Sequence, residues 1–514
     1  LEFDMVSDSR MCLYVDKANP GYNCTVAAPA GYKRLSELAT NPVLFKDGIE
    51  AGDIKQGQIG TCFLLGGLGA VAANKEVAIR RSFIRYSIEY GVYGVRFCVN
   101  GEWEHIIVDD IMPVDEHGRL LYARCADPDE LWCPILEKAY CKLHTCYEMC
   151  DGGLPMQAIF SLCGGVSGKF AIEDEHRQDP NKYFNILKNA RDRGWLLTTT
   201  FVIDNKQKAK AGSGKCGEAV LPTGLVAGHV YSVTLVMEAC GEKLVQCRNP
   251  WGTGEWLGKF SDENKYGEWT EELQAATGWL GLNDGKFWMN IEDFVMNSGG
   301  VEYARTFGPP WKKITQESRF QKGSLQATAM WEYEARADNE ISFAKGAIVE
   351  VINVNPGWWY GNVLGTPEVK GFFPGKRVKL KDRPVARFDL TGSPSEGCKG
   401  ISVVVLLMQP NVKLQRKFYT RKQDGLNYKD VTYPSMQLVV VGPDGKVALK
   451  RQGKKRCISG ELFLPGGGLW RIYALSVDGR GSDFKLRTYI KDGVASLARV
   501  EGASIAEITS ETCF

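Results

Sequence analysis

A cysteine followed at once by an apolar run stands at position 62, in Gln56-Gly57-Gln58-Ile59-Gly60-Thr61-Cys62-Phe63-Leu64-Leu65. Small and flexible residues precede it, so the pattern places the thiol at the N-terminus of a buried helix. Unpaired backbone N–H groups and the helix dipole favour thiolate at such a place. Gln56, just upstream, is positioned to offer a side-chain amide to an oxyanion on a substrate. One cysteine among sixteen is by itself more often an inert buried thiol, so the chemistry depends on partners.

Of the five histidines, His229 has the most telling context, Gly224-Leu225-Val226-Ala227-Gly228-His229-Val230-Tyr231-Ser232-Val233. The segment reads as a glycine-preceded strand with the imidazole at its start, where Gly228 leaves room beside the ring. Leu244-Val245-Gln246-Cys247-Arg248 reads as a second strand that delivers Asn249-Pro250-Trp251-Gly252. The Asn249 side-chain oxygen can hold the imidazole by its second nitrogen, and Trp251 can shield that bond from water. Cys, His and Asn in this chain order match the nucleophile, base and orienter of papain-like enzymes.

With these motifs the chain resembles the calpain family of intracellular cysteine proteases. The family's Gln-Gly-x-x-Gly-Asp-Cys-Trp-Leu-Leu stands at 56–65, its Gly-His-x-Tyr-Ser-Val at 228–233 and its Arg-Asn-Pro-Trp-Gly at 248–252. Residues 101–103 with 108–110 look like the family's paired strands, and 136–143 like a helix near the end of its first lobe. Residues 284–289 look like the last strand of its second lobe. The resemblance implies a two-lobed papain-like core with Cys62 as nucleophile and His229 as base and then acid. It makes Asn249 the orienter of His229, and Gln56 with the Cys62 backbone N–H the oxyanion hole. Thr61 replaces the family's aspartate and removes a charge beside the cleft, while Phe63 replaces its tryptophan and remains a large packing group.

In conventional calpains each lobe binds one calcium ion, and the two ions align the lobes so that the triad closes. By the resemblance, Asp53 and the backbone of Gly48 match first-lobe ligands, and Glu255, Asp262 and Asp284 match second-lobe carboxylates. The remaining acid of each site is replaced: Gly168 stands where the first lobe's distant glutamate is expected, and Lys286 where the second lobe's is. Carboxylates supply most of the affinity for calcium, and a lysine ammonium repels the ion. Conventional two-site calcium activation is therefore not expected, and no cofactor is required. The sequence has no EF-hand loop of the Asp-x-Asp-x-Asp-Gly type.

The elements that hold these residues belong to a chain too long for one core; 514 residues predict roughly three or four domains. The expected class is α+β and multidomain. Its parts are an N-terminal segment over 1–44, lobes over 45–164 and 165–300, a linker hugging the core over 301–322, a small β-barrel over 323–380 and a β-sandwich over 384–514. Leu1-Glu2-Phe3 ahead of Met5 reads as a cloning remnant.

Alternating apolar residues and regular turns mark the barrel, which resembles an SH3 domain. That resemblance implies a groove for a proline-rich peptide at Trp331, Tyr333, Trp358 and Pro374, beside an acidic loop at Asp338 and Glu340. The family's final groove tyrosine and neighbouring asparagine are Arg377 and Lys376 here, which weakens one proline pocket and leaves an intramolecular ligand open. The last segment is similar to the β-sandwich that follows the protease core in calpains. Its basic run, Lys446, Lys450, Arg451, Lys454, Lys455 and Arg456, reads as a solvated hairpin or as a weak contact with anionic membrane.

Apolar residues make up 44% of the chain and charged residues 24%, ordinary values for a globular protein. A net charge of +2 gives no reason to expect nucleic acid. No apolar run is expected to reach the ~18 residues of a membrane span, and the start lacks the pattern of a signal sequence. The cysteines show no paired zinc spacing, so reduced thiols in a cytoplasmic protein are expected. The leading expectation is an endopeptidase making limited cuts in intracellular proteins through a Cys62 thioester. Two alternatives are a catalytically silent scaffold that binds partners through its SH3 and sandwich domains, and acyl transfer to an amine as in transglutaminases. The complete triad argues against the first, and the calpain motifs against the second.

Overall fold

The computed structural model describes residues 27, 29–144, 146–147, 150–202, 212–213, 218–320, 325–354, 358–380, 385–409, 435–453, 456–465, 468–477 and 482–501. They fall into two units, Leu1–Thr306 and Phe307–Phe514.

In the first unit the apolar run after Thr61 folds as the helix Cys62–Ser82, buried without a break from Cys62 to Ala72. By overall length and composition this helix matches a membrane span, but the backbone departs from helical geometry at Lys75 (φ −149°, ψ 50°), the apolar run ends at Asn74, and 67% of its apolar window is buried inside the protein. A helix apolar on all sides is equally at home in a protein core. Its missing side chains matter as much as those present. A Cβ on Gly66 would lie 2.8 Å from Val230 Cγ1, and one on Gly69 would lie 2.3 Å from Ser232 Oγ. The strand Val230–Ala239 therefore rests directly on the helix, and the Ser232 hydroxyl donates to the Gly66 carbonyl at 2.7 Å.

Beside the helix lie Trp132–Leu143, Pro155–Cys163 and a three-stranded antiparallel sheet of Phe83–Ser87, Val92–Val99 and Glu102–Asp109. The residues read as two paired strands, 101–103 and 108–110, mostly share one strand, Glu102–Asp109, whose partner is Val92–Val99. Asn100 and Gly101, with φ of 51° and 85°, make the tight turn between them, which Asn-Gly favours.

The largest sheet of the unit has nine strands, and in it Val230–Ala239 pairs with Leu196–Phe201 on one side and Glu242–Arg248 on the other. Lys286–Asn290 follows Glu242–Arg248, as expected from the sequence, but it is not the last strand. Ser298–Arg305 comes after it and pairs with both Val166–Phe170 and Leu196–Phe201. Tyr231 packs edge-on against Phe201 and Phe287 in the core of this sheet.

In the second unit, Leu325–Ala329, Ile348–Val354, Trp358–Val363, Lys370–Pro374 and Val378–Leu380 form a five-stranded antiparallel sheet around Ala327, Phe343, Val349, Val351 and Phe373. Two further antiparallel sheets, of four and five strands, turn their apolar faces to one core that includes Phe388, Leu390, Val403, Val405, Leu438, Ile472 and Leu486. The nearly unbroken apolar run of Gly400–Met408 is an inner strand between Cys457–Pro465 and Ser482–Lys491.

Much of the expected linker is strand. Lys312–Phe320 pairs along its whole length with Ser482–Lys491, and Phe320 enters the shared core. The barrel is thus inserted after the first strand of the two-sheet body instead of preceding it. The basic run lies on a hairpin of Met436–Val441 and Val447–Gly453, with Lys446 and Arg451 exposed. Lys450 and Arg451 lie on the strand Val447–Gly453, at one edge of the five-stranded sheet, and Arg456 is buried. Lys454 and Lys455, like the 1–5 segment, lie outside the described residues.

Candidate active site

Cys62 is the first residue of its helix and is buried. Burial pushes its thiol well above the ordinary range, the Glu218 charge adds to the rise, and backbone N–H groups of Val230 and Phe63 oppose it. The helix terminus alone predicts thiolate; burial beside a carboxylate keeps the proton in place. Thr61 stands at the N-cap but does not cap the helix with its side chain. Its hydroxyl donates instead to Glu137 Oε1 at 2.6 Å, and the Ala123 N–H donates to Glu137 Oε2 at 2.9 Å. Burial raises the Glu137 carboxyl from 4.5 to about 7. An aspartate at position 61 would set a second carboxylate against this one.

His229 is fully buried, immediately before the strand Val230–Ala239 that rests on the Cys62 helix. Gly228 has φ of +74°, and a Cβ there would meet nothing within 4 Å. Its requirement is therefore conformational, not the room beside the ring expected from the sequence. His229 Nε2 lies 2.8 Å from Asn249 Oδ1. Asn249 is itself fixed: its Nδ2 donates to the Gly254 carbonyl at 2.9 Å, and Oδ1 also accepts the Trp251 N–H at 3.0 Å. These backbone partners settle which end of the amide is oxygen. The Trp251 ring lies 4.9 Å from the imidazole, centroid to centroid, where it can cover the hydrogen bond.

Arg248, just before Asn249, is buried and donates through Nη2 to the carbonyls of Gly52 and Ile54, at 3.0 and 2.9 Å. Burial lowers its guanidinium to about 10. The strand end that carries Asn249 is thereby tied to the segment leading into Gln56. Gln56 is fully buried; its Nε2 donates to the Ile59 carbonyl at 2.8 Å, while its Oε1 has no hydrogen-bond partner among the described residues. A cavity of about 610 Å³ borders Gln56, Gly57 and Gln58, with Arg124 and Glu130 among its walls, but neither Cys62 nor His229 lines it.

Glu218 is the residue that sequence reasoning missed. Its Oε1 lies 3.0 Å from His229 Nδ1. Ligand atoms of Cys62, Glu218 and His229 all fall within 4.8 Å of one another. The backbone places it there: Ala219–Val220 pairs antiparallel with Val226–Ala227, so Glu218 is carried toward the residue just past Gly228. The signal lay in two short apolar pairs flanking Leu221-Pro222-Thr223-Gly224, a turn whose Gly224 has φ of +83°.

The residues matched to calcium ligands do not form two open cages. Glu255 Oε1 accepts the Gly285 N–H at 2.6 Å, and Asp262 Oδ1 accepts the Trp279 indole N–H at 2.7 Å. Lys286 Nζ lies 3.1 Å from Asp284 Oδ2. Burial and a hydrogen bond to Asp262 push Glu255 up to about 8. A lysine ammonium thus stands among acids that a calcium site would need as free oxygen ligands. Asp53 Oδ2 accepts the Glu50 N–H at 2.7 Å, and burial raises its carboxyl. Gly168 faces Tyr303 across paired strands, where a Cβ would lie 2.4 Å from the phenol oxygen. Tyr303 thus fills the space that a glutamate at position 168 would need.

In the barrel, Trp358 pairs with Pro374 and its ring lies 6.4 Å from that of Tyr333. Trp331 and Trp358 are exposed, and the Trp331 N–H donates to the Arg377 carbonyl. Asp338 is exposed, whereas Glu340 accepts from the Tyr333 hydroxyl at 2.5 Å and from the Arg336 N–H at 2.9 Å.

Thiol, imidazole and amide in this relation are the working parts of thiol hydrolases. The family description "calpain family cysteine protease" matches residues 15–304, more than half of the chain, and an SH3 domain matches residues 328–375. The chain belongs to the calpain family of cysteine proteases. It is 34% identical over 310 residues to calpain-type cysteine protease ADL1 of Oryza sativa subsp. japonica, covering 58% of this chain and 14% of that one. Calpain-9 of Rattus norvegicus is 34% identical over 284 residues, covering 53% and 39%. The calpain-2 catalytic subunit of the same species is 30% identical over 308 residues, covering 57% and 42%. The chain thus spans less than half the length of these relatives.

Proposed function

We propose that this chain is a cysteine endopeptidase that makes limited cuts in intracellular proteins and closes its site without conventional two-site calcium binding. The observation that carries the reading is the buried His229–Asn249 hydrogen bond, at 2.8 Å, beside a thiol that opens a helix. His229 Nδ1 takes the thiol proton, and Cys62 Sγ attacks the scissile carbonyl carbon. The resulting oxyanion is met by the Cys62 backbone N–H and by the Gln56 Nε2 hydrogen not committed to Ile59. Collapse breaks the C–N bond, His229 returns the proton to the leaving amine, and water hydrolyses the thioester with His229 again as base.

The two parts of the protease unit are read as papain-like lobes, and the two facing sheets of the second unit as a calpain-type β-sandwich. The engagement of Asp284 by Lys286 supports independence from calcium. Exposed Trp331 and Trp358 support docking of a proline-rich segment, the basic edge strand supports weak contact with anionic membrane, and the free thiols support a cytoplasmic setting. The test is covalent labelling of Cys62 by an epoxide inhibitor of papain-type enzymes, read by mass spectrometry in calcium and in chelator. Equal labelling in both is expected; labelling in calcium alone would defeat calcium independence, and labelling in neither would defeat the protease reading.

A further inference from the structure

An ordinary thiol–imidazole dyad offers a metal two donors, whereas this site offers three. Glu218 adds a carboxylate whose side chain is 12% exposed and whose Oε2 is buried without a hydrogen-bond partner among the described residues. The three donors come from separate elements that the fold fixes independently: a helix start, a short hairpin and a strand start.

The state of His229 makes the arrangement directional. Asn249 Oδ1 can only accept, so Nε2 carries the hydrogen and the neutral ring turns its Nδ1 lone pair toward Glu218. A lone pair and a carboxylate oxygen 3.0 Å apart are both acceptors, and only a cation, either a proton or a metal ion, can bridge them. The Asn249 contact is also the kind of outer partner that fixes a histidine ligand's tautomer and orientation in metal sites.

We propose that Cys62, Glu218 and His229 form a tripodal site for a zinc-class divalent cation. Thiolate sulfur, imidazole nitrogen and one carboxylate oxygen are a zinc donor set, with bonds of about 2.0–2.3 Å and a fourth tetrahedral position left for water. Calcium, which takes six to eight oxygens, is excluded by the sulfur and nitrogen. Charge balances: the thiol loses its proton to solvent, and thiolate and carboxylate together neutralise the dication. If the protease reading holds, an occupied tripod removes nucleophile and base together, and zinc reversibly silences hydrolysis.

The test uses the full chain, stripped of metal and titrated with cobalt(II) chloride as a spectroscopic probe and with zinc chloride against a chromogenic chelator. One equivalent of cobalt should give tetrahedral visible bands and a thiolate-to-cobalt band in the near ultraviolet, the latter lost in C62A. E218A should weaken zinc by at least about tenfold, since even outer-sphere partners of metal ligands are worth 10–100-fold. E218Q, which keeps the shape, is expected to fall between, and it serves if E218A does not fold. Zinc affinity unchanged in both Glu218 variants, or a cobalt spectrum without the thiolate band, would overturn the site. Because binding is read without turnover, a chain that binds cobalt but cleaves nothing refutes the protease reading alone.

Discussion

The acids near His229 and the acids near Lys286 lie in the same unit, the first largely withdrawn from water and the second partly exposed. Around Lys286 the charges are settled internally: the ammonium lies against Asp284, Trp279 donates to Asp262, and Glu255 is hydrogen-bonded to Asp262. Around His229 they are not. Glu218 lies 3.0 Å from His229 Nδ1 and beside a thiol that burial and the Glu218 charge hold protonated. Stability favours the first arrangement, because a buried charge without a partner is costly. Chemistry needs the second, because a site that has already neutralised itself has nothing to give a substrate. Unsettled charge is where perturbed groups gather in active sites.

The comparison predicts its own breakage. The largest effect is expected from Asn249→Ala, which frees the imidazole to turn. It should lower kcat by about 10² to 10⁴, and the melting temperature should fall as well because the Gly254 carbonyl and the Trp251 N–H lose a buried partner; a kcat within threefold of the parent would remove Asn249 from the triad. Next is Lys286→Glu, which exchanges the ammonium for a carboxylate and leaves the second cluster unsettled. Calorimetry should then show heat of calcium binding in the variant and none in the parent, and no heat in either would separate these acids from the family's calcium site.

The smallest effect concerns Glu137, a buried acid that belongs to neither cluster. Its carboxyl is raised from 4.5 to about 7 by burial, so the folded protein holds this proton more tightly than the unfolded chain does. The associated stability is fully present below about 4.5 and is lost as pH rises through about 7. Glu137→Gln has no proton to lose. Its urea midpoint should therefore fall less than the parent's between those pH values, and parallel curves would show that Glu137 does not titrate there.

The sequence revealed the thiol, imidazole and amide because each sits in a motif whose backbone geometry is local: a helix start, a glycine turn before a strand, a turn after one. Glu218 was hidden because its place depends on strand pairing, and the polar residues before it carry no periodicity. Lys312–Phe320 was hidden for a related reason. Lys-Lys-Ile-Thr-Gln-Glu-Ser-Arg-Phe reads as solvated chain, and its partner strand, Ser482–Lys491, is remote in sequence. Gly228 was found for the wrong reason, since sequence shows that a glycine is present but not whether space or φ demands it. The lysine beside Asp284 was legible in the sequence, whereas the packing of Tyr303 over Gly168 needed the register of two strands.

The seat of the Val230 strand on the Cys62 helix has a consequence for how such a site can vary. Nucleophile and base are carried by elements far apart in the chain, and two hydrogen atoms, those of Gly66 and Gly69, act as the spacer between them. A spacer of that size has little tolerance: the smallest side chain already presses on Val230 and on the Ser232 hydroxyl that binds the helix. Drift at these positions would yield proteins that fold, bind and even keep every reactive group, yet are mis-set by the width of a methyl. Inheritance of the activity is in this sense inheritance of a gap.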